Sequence, residues 1–338
     1  MSFDNPLRRV LFRSRGNHRQ GMGDLHGCLA LAYEFRKLNI ELAVLAEADK
    51  EAVDFLCEAG LVHIPATGEE ADAFAAKTFR PDCLIVNLLK SEPEYLSALK
   101  KTTGLLVTID DDGPGAAVAD LRFNPLYPIP DALVDPAYIP LKEEFQRLNG
   151  RLREYDRELC RIIITLGGSD TYGFTSLAVR AVDSLPKEVA CEVILGPAFQ
   201  HEAELATAIA DAGKWRFSLA CNARDMHERM FAADLAICGG GLTLFELACT
   251  GTPAVVICGE PFEEQTAADM ETRGFGINLG FGRYLKSSDV VRALMVLYSD
   301  VDRRVEMGRR GRELVDGRGS ERIAAAIFQA WRENKSRI

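Results

Sequence analysis

Apolar residues fall into short runs separated by segments of helical spacing, and this alternation continues through most of the chain. In the first part, β-rich runs at Val10–Arg13, Glu41–Leu45, Cys83–Val86 and Leu105–Ile109 predict strands. Between them, Leu25–Leu38 and Pro93–Lys101 carry apolar side chains at the spacing of one helix face. After Asn124 the alternation stops in a stretch holding Pro125, Pro128, Pro130, Pro136 and Pro140, followed by the charged segment Lys142–Glu158. That stretch reads as a crossover between domains. The alternation resumes with strands expected at Arg161–Leu166, Cys191–Leu195, Arg216–Leu219, Leu235–Cys238 and Ala254–Cys258, each followed by a helix-length segment. Near-continuous apolar runs such as Ile162-Ile163-Ile164 and Val255-Val256-Ile257 suit parallel strands covered by helices on both faces. The expected fold class is therefore α/β, with two Rossmann-like parallel-sheet domains in tandem over residues 1–140 and 141–338. In such sheets ligands bind beyond the carboxyl ends of the strands, so glycine-rich loops just after strands are the places to search for chemistry.

Composition narrows the function classes. The 338 residues carry a net charge of −10, which repels nucleic-acid phosphates and argues against a general nucleic-acid binder. The nine cysteines are scattered, never in a CxxC spacing and mostly embedded in apolar runs, as in Leu235-Ala236-Ile237-Cys238, which predicts reduced core thiols of a cytoplasmic protein. The start MSFDNPLRRVLFRSRG has no apolar stretch of signal-peptide length, and the long uncharged stretches 235–245 and 247–258 are separated by Glu246, so no membrane partner is expected. Walker A, HExxH and GxSxG motifs are absent, which disfavours P-loop NTPases, zincins and α/β-hydrolases. No cofactor is implied.

Four loops after strands stand out. The first, RSRGNHRQGMGD over Arg13–Asp24, carries Arg13, Arg15, His18 and Arg19, then Gly21 and Gly23 at a helix start. Cationic side chains converging with a helix N-terminus suit an anionic ligand; a flexible solvated basic loop is the alternative. Its GxGxxxG spacing, with Gly21 well beyond the strand, departs from a dinucleotide fingerprint. The second, Gly167-Gly168-Ser169-Asp170, allows close backbone approach to a phosphate, with Ser169 available to donate to an oxygen; it equally fits a tight turn in which Ser169 caps the following helix, expected over Tyr172–Val182. The third, Gly239-Gly240-Gly241, opens the segment Leu242–Cys249, where Glu246 among apolar neighbours can accept hydrogen bonds from a vicinal diol such as a ribose, or simply face solvent. The fourth, Gly259–Gln265, offers the Gln265 amide to sugar hydroxyls. Asp110-Asp111-Asp112 can hold a divalent cation or form a solvated turn, the more frequent fate of such a run, and no metal site is expected. His63, His201 and His227 lack partners at a ligand spacing and are expected to be structural or surface residues.

Together these loops resemble two-domain nucleotide-sugar enzymes of the GT-B fold, whose domains face a cleft. The run GGGLTLFELACTGTPAVVI at 239–257 is similar to the donor-binding segment of the MurG superfamily. A fuller resemblance, along almost the whole chain, is to the PseG/SpsG family of UDP-sugar hydrolases of pseudaminic acid synthesis and their spore-coat polysaccharide relatives. It rests on VLFRSRGNHRQGMGD, the Asp110-Asp111 pair, PLKEEF at 140–145, LGGSD at 166–170, the glycine-rich helix start and DGRGSERI at 316–323. The resemblance implies that the second domain holds UDP, with Gly168 and Ser169 near the pyrophosphate, Gly240, Gly241, Leu242 and Thr243 at the helix start, Glu246 at the ribose and Gln265 near the hexose.

One departure bears on mechanism. The family loop reads G-x-G-H, with the histidine proposed to activate water, whereas Asp24 stands there in this chain, and the basic residue three positions on is replaced by Gly27. An aspartate has an unperturbed pKa of about 3.9, more than two units below histidine, and accepts protons more weakly unless burial raises it. His26 and His18 are substitutes off the matched position. The expectation is hydrolysis of a UDP-linked acetamido sugar, with Asp24 as base helped by Arg13 and His18, and Gly21 and Gly23 contributing to the substrate site. The alternatives are inverting transfer to an acceptor and a catalytically silent nucleotide-sugar-binding protein. Neither the hexose nor the oligomeric state follows from the sequence.

Overall fold

A computed structural model of the chain describes residues 7–16, 22–126, 129–213 and 216–336. Among these, 7–142 and 318–336 form one compact unit and 143–317 a second.

In the first unit, β1 (Arg9–Gly16), α1 (Gly23–Arg36), β2 (Glu41–Ala48), α2 (Lys50–Glu58), β3 (Val62–Pro65) and α3 (Glu69–Phe79) are followed by β4 (Cys83–Val86), α4 (Pro93–Lys100), β5 (Leu105–Ile109) and β6 (Leu121–Phe123). The strands form a parallel sheet in the order β3-β2-β1-β4-β5-β6. Alternation along β1 sends Val10 and Phe12 to the core beneath α1, with Leu25, Cys28, Leu31 and Phe35, and sends Leu11 to the opposite core with Tyr95, Leu96 and Leu99 of α4.

The second unit runs α5 (Glu143–Asn149), β7 (Arg161–Thr165), α6 (Phe174–Asp183), β8 (Ala190–Leu195), α7 (Glu202–Asp211), β9 (Phe217–Cys221), α8 (Met226–Ala232) and β10 (Leu235–Cys238). It continues through α9 (Leu242–Thr250), β11 (Ala254–Cys258), α10 (Glu263–Thr272), β12 (Ile277–Phe281), α11 (Ser287–Ser299) and α12 (Val301–Leu314). Its strands pair in parallel in the order β12-β11-β10-β7-β8-β9, the same winding as the first sheet when each unit's strands are counted from its own start. The order reverses between β1 and β4 in one unit and between β7 and β10 in the other, the switch points where the strand ends of such sheets open a crevice.

The charged segment Lys142–Glu158 is tied down rather than loose. It contains α5, and the Arg153 guanidinium donates to the carbonyls of Phe231, Ala233 and Thr250 at the ends of α8 and α9. Arg304 of α12, fully buried, donates to the Asp156 carbonyl at 2.6 Å and the Arg157 carbonyl at 3.1 Å.

The final helix, α13 (Gly319–Ser336), packs in the first unit, although a division of the sequence at 140/141 leaves it in the second domain. Its Ile323, Ile327 and Trp331 complete the core beneath α1. Gly104 has no side chain because one would meet the Trp331 ring at 2.7 Å, and Gly319 lies directly on the Ile139 carbonyl. Trp331→Ala is expected to lower the unfolding free energy by about 3–5 kcal/mol in urea titrations, because it empties a core position that cannot collapse.

All nine cysteines are free, six of them buried, with Cys57, Cys160 and Cys221 exposed. No helix among the described residues is long and apolar enough to cross a membrane.

Candidate functional site

The switch point of the second unit is formed by the loops after β7 and β10. The first turns sharply: Gly167 has φ +85° and Asp170 φ +43°, both left-handed. The Asp170 carboxylate accepts hydrogen bonds from the amides of Phe174 and Thr175, each at 2.8 Å. Asp170, not Ser169, therefore caps α6, and the helix begins at Phe174 rather than at Tyr172 because Gly173, at φ +73°, breaks the helical path. The Ser169 hydroxyl pairs with that of Thr171 at 3.2 Å. The Gly168 carbonyl accepts from the Ala198 amide at 2.9 Å, and the loop lies so close to Gly196 that a side chain there would collide with the Gly168 backbone. With the first amides of α6 held by Asp170, any phosphate contact on this loop falls to the Gly168 and Ser169 backbone. Asp170→Ala is expected to cost about 1–2 kcal/mol of stability, read as a lowered melting temperature.

The loop after β10 is different. α9 starts directly after Gly241, the N-cap position, with no side-chain cap. Helical periodicity places Leu244, Phe245, Leu247 and Ala248 in the core and leaves Leu242, Thr243 and Glu246 half-exposed, three residues on one face of the first turns. Gln265, in the first turns of α10, is exposed.

Glu263, which the sequence reading did not single out, reaches this loop. Its Oε2 accepts from the Gly259 amide at 2.7 Å and the Gly240 amide at 3.2 Å. Burial pushes this carboxyl above the usual glutamate range, against the pull of the Gly259, Gly240 and Glu260 amides. A Cβ at Gly240 would stand 2.8 Å from the Glu263 Cβ, so the glycine there is demanded by α10 itself. A glutamate in a first helical turn normally reads only as a complement to the helix dipole, which hid this contact.

In the first unit, Gly23 opens α1, with no other described residue within 4 Å of where its Cβ would stand, and Asp24 follows in the first turn, half-exposed. The Arg15 Nε lies 3.4 Å from Asp24 Oδ2. Burial raises the Asp24 carboxyl above the ordinary aspartate range, with Arg15 opposing the shift. His18 and Gly21 lie outside the described residues. Arg13 is placed as a brace: at 4% exposure, its Nε lies 2.9 Å from Asp72 and 2.7 Å from the Tyr95 hydroxyl, and its Nη2 2.8 Å from Glu47. Its charge is matched by carboxylates on β2 and α3, so it secures the end of β1. His26 packs edge-on against Phe55 at 4.9 Å with its Nδ1 buried and unpartnered, and burial lowers its pKa to about 3, leaving a neutral ring.

Asp110 and Asp111 do not form a solvated turn. Both are buried: Asp110 accepts from the Leu126 amide at 2.9 Å, and Asp111 from the amides of Ser91 and Gly113 at 3.1 and 2.9 Å and from the Ser91 hydroxyl. They fasten loops. Among the described residues no group of three or more metal-ligating side chains occurs. His63 and His201 bond the carbonyls of Ala46 and Thr171, at 3.1 and 3.2 Å, and His227 packs against Phe145.

No family model matches the chain. Over 267 residues it is 26% identical to the spore coat polysaccharide biosynthesis protein SpsG of Bacillus subtilis, covering 74% of this chain and 77% of that one. The chain is thus similar to SpsG and has the GT-B fold. An uncharacterized protein of Methanocaldococcus jannaschii is also 26% identical over 269 residues, 74% of this chain, and the match spans 55% of that protein's length. Among solved structures, MurG of Acinetobacter baumannii superposes with a TM-score of 0.69 at 15% identity, covering 95% of this chain and 99% of that one. The UDP-GlcNAc 2-epimerase of Neisseria meningitidis bound to UDP-GlcNAc superposes with a TM-score of 0.62 at 12% identity, covering 95% and 100%. At these identities the superpositions establish the fold of the chain.

Proposed function

We propose that this chain is a nucleotide-sugar enzyme of polysaccharide biosynthesis that binds a UDP-linked acetamido sugar and releases UDP from it by hydrolysis. The observation that carries the reading is the uncapped start of α9 at a switch point, with Leu242, Thr243 and Glu246 along its accessible face. Amides at such a helix end suit a diphosphate, and a carboxylate one turn further on suits the two hydroxyls of a ribose. The Gly168 and Ser169 backbone, Gly240 and Gly241 would add to the phosphate cradle, and Gln265 would meet the hexose. Support comes from SpsG, whose name places it in spore coat polysaccharide synthesis, and from the Neisseria epimerase, solved with UDP-GlcNAc.

In the proposed reaction Asp24 takes a proton from water as the water oxygen forms its new bond. Attack on the sugar carbon breaks the C–O bond and expels UDP with the electron pair, whereas attack on phosphorus breaks the P–O bond and the pair leaves with the sugar oxygen, which takes up a proton. Arg15 orients Asp24. Dipoles fixed at the α9 start would stabilise the departing charge. Hydrolysis in ¹⁸O-water, read by mass spectrometry, separates attack on the sugar carbon, which labels the sugar, from attack on phosphorus, which labels UDP.

One observation favours a second reading, inverting transfer to an acceptor hydroxyl: an aspartate stands where the resemblance places the water-activating histidine. UDP release in water alone supports hydrolysis, whereas release that depends on an added acceptor supports transfer.

A further inference from the structure

The amides of Gly240 and Gly259 belong to loops that follow the neighbouring strands β10 and β11, and they converge on one oxygen of Glu263, at 3.2 and 2.7 Å. Backbone amides arranged in this way form an anion-binding concavity. Here the chain fills it with its own anion. The fit is close: a Cβ at Gly240 would lie 2.8 Å from the Glu263 Cβ, and one at Gly241 3.2 Å from Oε1. The residue after Gly241 begins α9, which has no side-chain cap, so the carboxylate stands beside an open helix start.

We infer that Glu263 is an internal anion competing with the ligand's diphosphate at the glycine loop, and that it gives up its charge by taking a proton from solvent when the diphosphate docks. This rests on the proposed nucleotide position and adds to it a built-in competitor. The diphosphate brings at least two like charges to the α9 start, and each disfavours the ionised Glu263 carboxyl. Burial has already moved that carboxyl upward, so it accepts a proton more readily than an exposed glutamate. The titratable groups facing it act in the same direction or not at all: Glu260, in the loop before α10, repels it, while Cys258 of β11 and Cys238 of β10 are buried thiols pushed up and neutral. Ligand binding should therefore weaken as pH rises.

The test is calorimetric titration of UDP into the full chain in two buffers of different ionisation enthalpy, with wild type and Glu263→Gln, which keeps the side-chain shape without the charge. Glu263→Gln is expected to bind UDP about tenfold more tightly and to take up fewer protons than wild type. Glu263→Ser, a second variant lacking the charge, should shift affinity in the same direction. Equal or weaker binding by both variants, with unchanged proton uptake, overturns the inference while leaving the nucleotide site in place. Absence of UDP binding in wild type and both variants overturns the nucleotide position and the inference together.

Discussion

Asp24→Asn is expected to reduce UDP release by about 10²–10⁴-fold in kcat while leaving UDP affinity within about twofold, because it removes a proton acceptor without touching the proposed nucleotide cradle. The pH profile carries a further signature. Burial raises the Asp24 carboxyl above its ordinary range, and Arg15 only partly offsets it. The group acts as a base in its ionised form, so activity should be low when Asp24 is protonated and rise with pH through a value above that of a free aspartate. The stability effect has the opposite sign. A carboxyl whose folded pKa is raised favours the fold when protonated, and that contribution is lost as pH rises through the raised value. Arg15→Gln should move the activity limb still higher, since it removes the opposing cation. Kinetics for wild type and both variants across the acid range check these signs. A fully active Asp24→Asn would remove Asp24 from the chemistry.

The second large effect concerns the nucleotide. Glu246→Ala should weaken UDP binding by about tenfold to a hundredfold, or 1.5–3 kcal/mol, as expected when a charged acceptor of two hydrogen bonds is lost. Glu246→Gln should weaken it less, since the amide oxygen still accepts. The same titration with 2′,3′-dideoxy UDP should give nearly equal affinities for wild type and Glu246→Ala, because that nucleotide offers the carboxylate no ribose hydroxyl. A loss of affinity that persists with the dideoxy nucleotide would assign Glu246 to helix stability instead.

The legible part of the fold was the part apolar on both faces. β4, β5, β10 and β11 have the bounds expected from sequence because every residue in them is buried, and burial on both sides writes an unbroken apolar run. The edge strands β3 and β12 are partly exposed and β6 has only three residues, so none carries that run. The placement of α13 was not legible for another reason: an amphipathic stripe shows that a helix packs, not which sheet receives it. Site residues divide along the same line. Glycine loops after strands are visible in the sequence, and Glu246 among apolar neighbours is half-exposed on α9. The partners that redefine their surroundings are distant in sequence. Arg13 reads as a free cation until Asp72 and Tyr95 are brought to it, and the Gly240 amide reads as an open donor until the Glu263 carboxylate is brought beside it. Ser169 lost its capping role to its neighbour because Asp170 takes a left-handed backbone that aims its carboxylate at the next helix.

The most direct test of the account is a crystal structure of the chain with UDP. The account predicts the diphosphate against the amides of Leu242 and Thr243, with the ribose hydroxyls on the Glu246 carboxylate. Nucleotide density elsewhere, for instance in the groove of about 660 Å³ lined by Arg161, Glu192 and Arg229 at the opposite ends of β7 and β8, would contradict it.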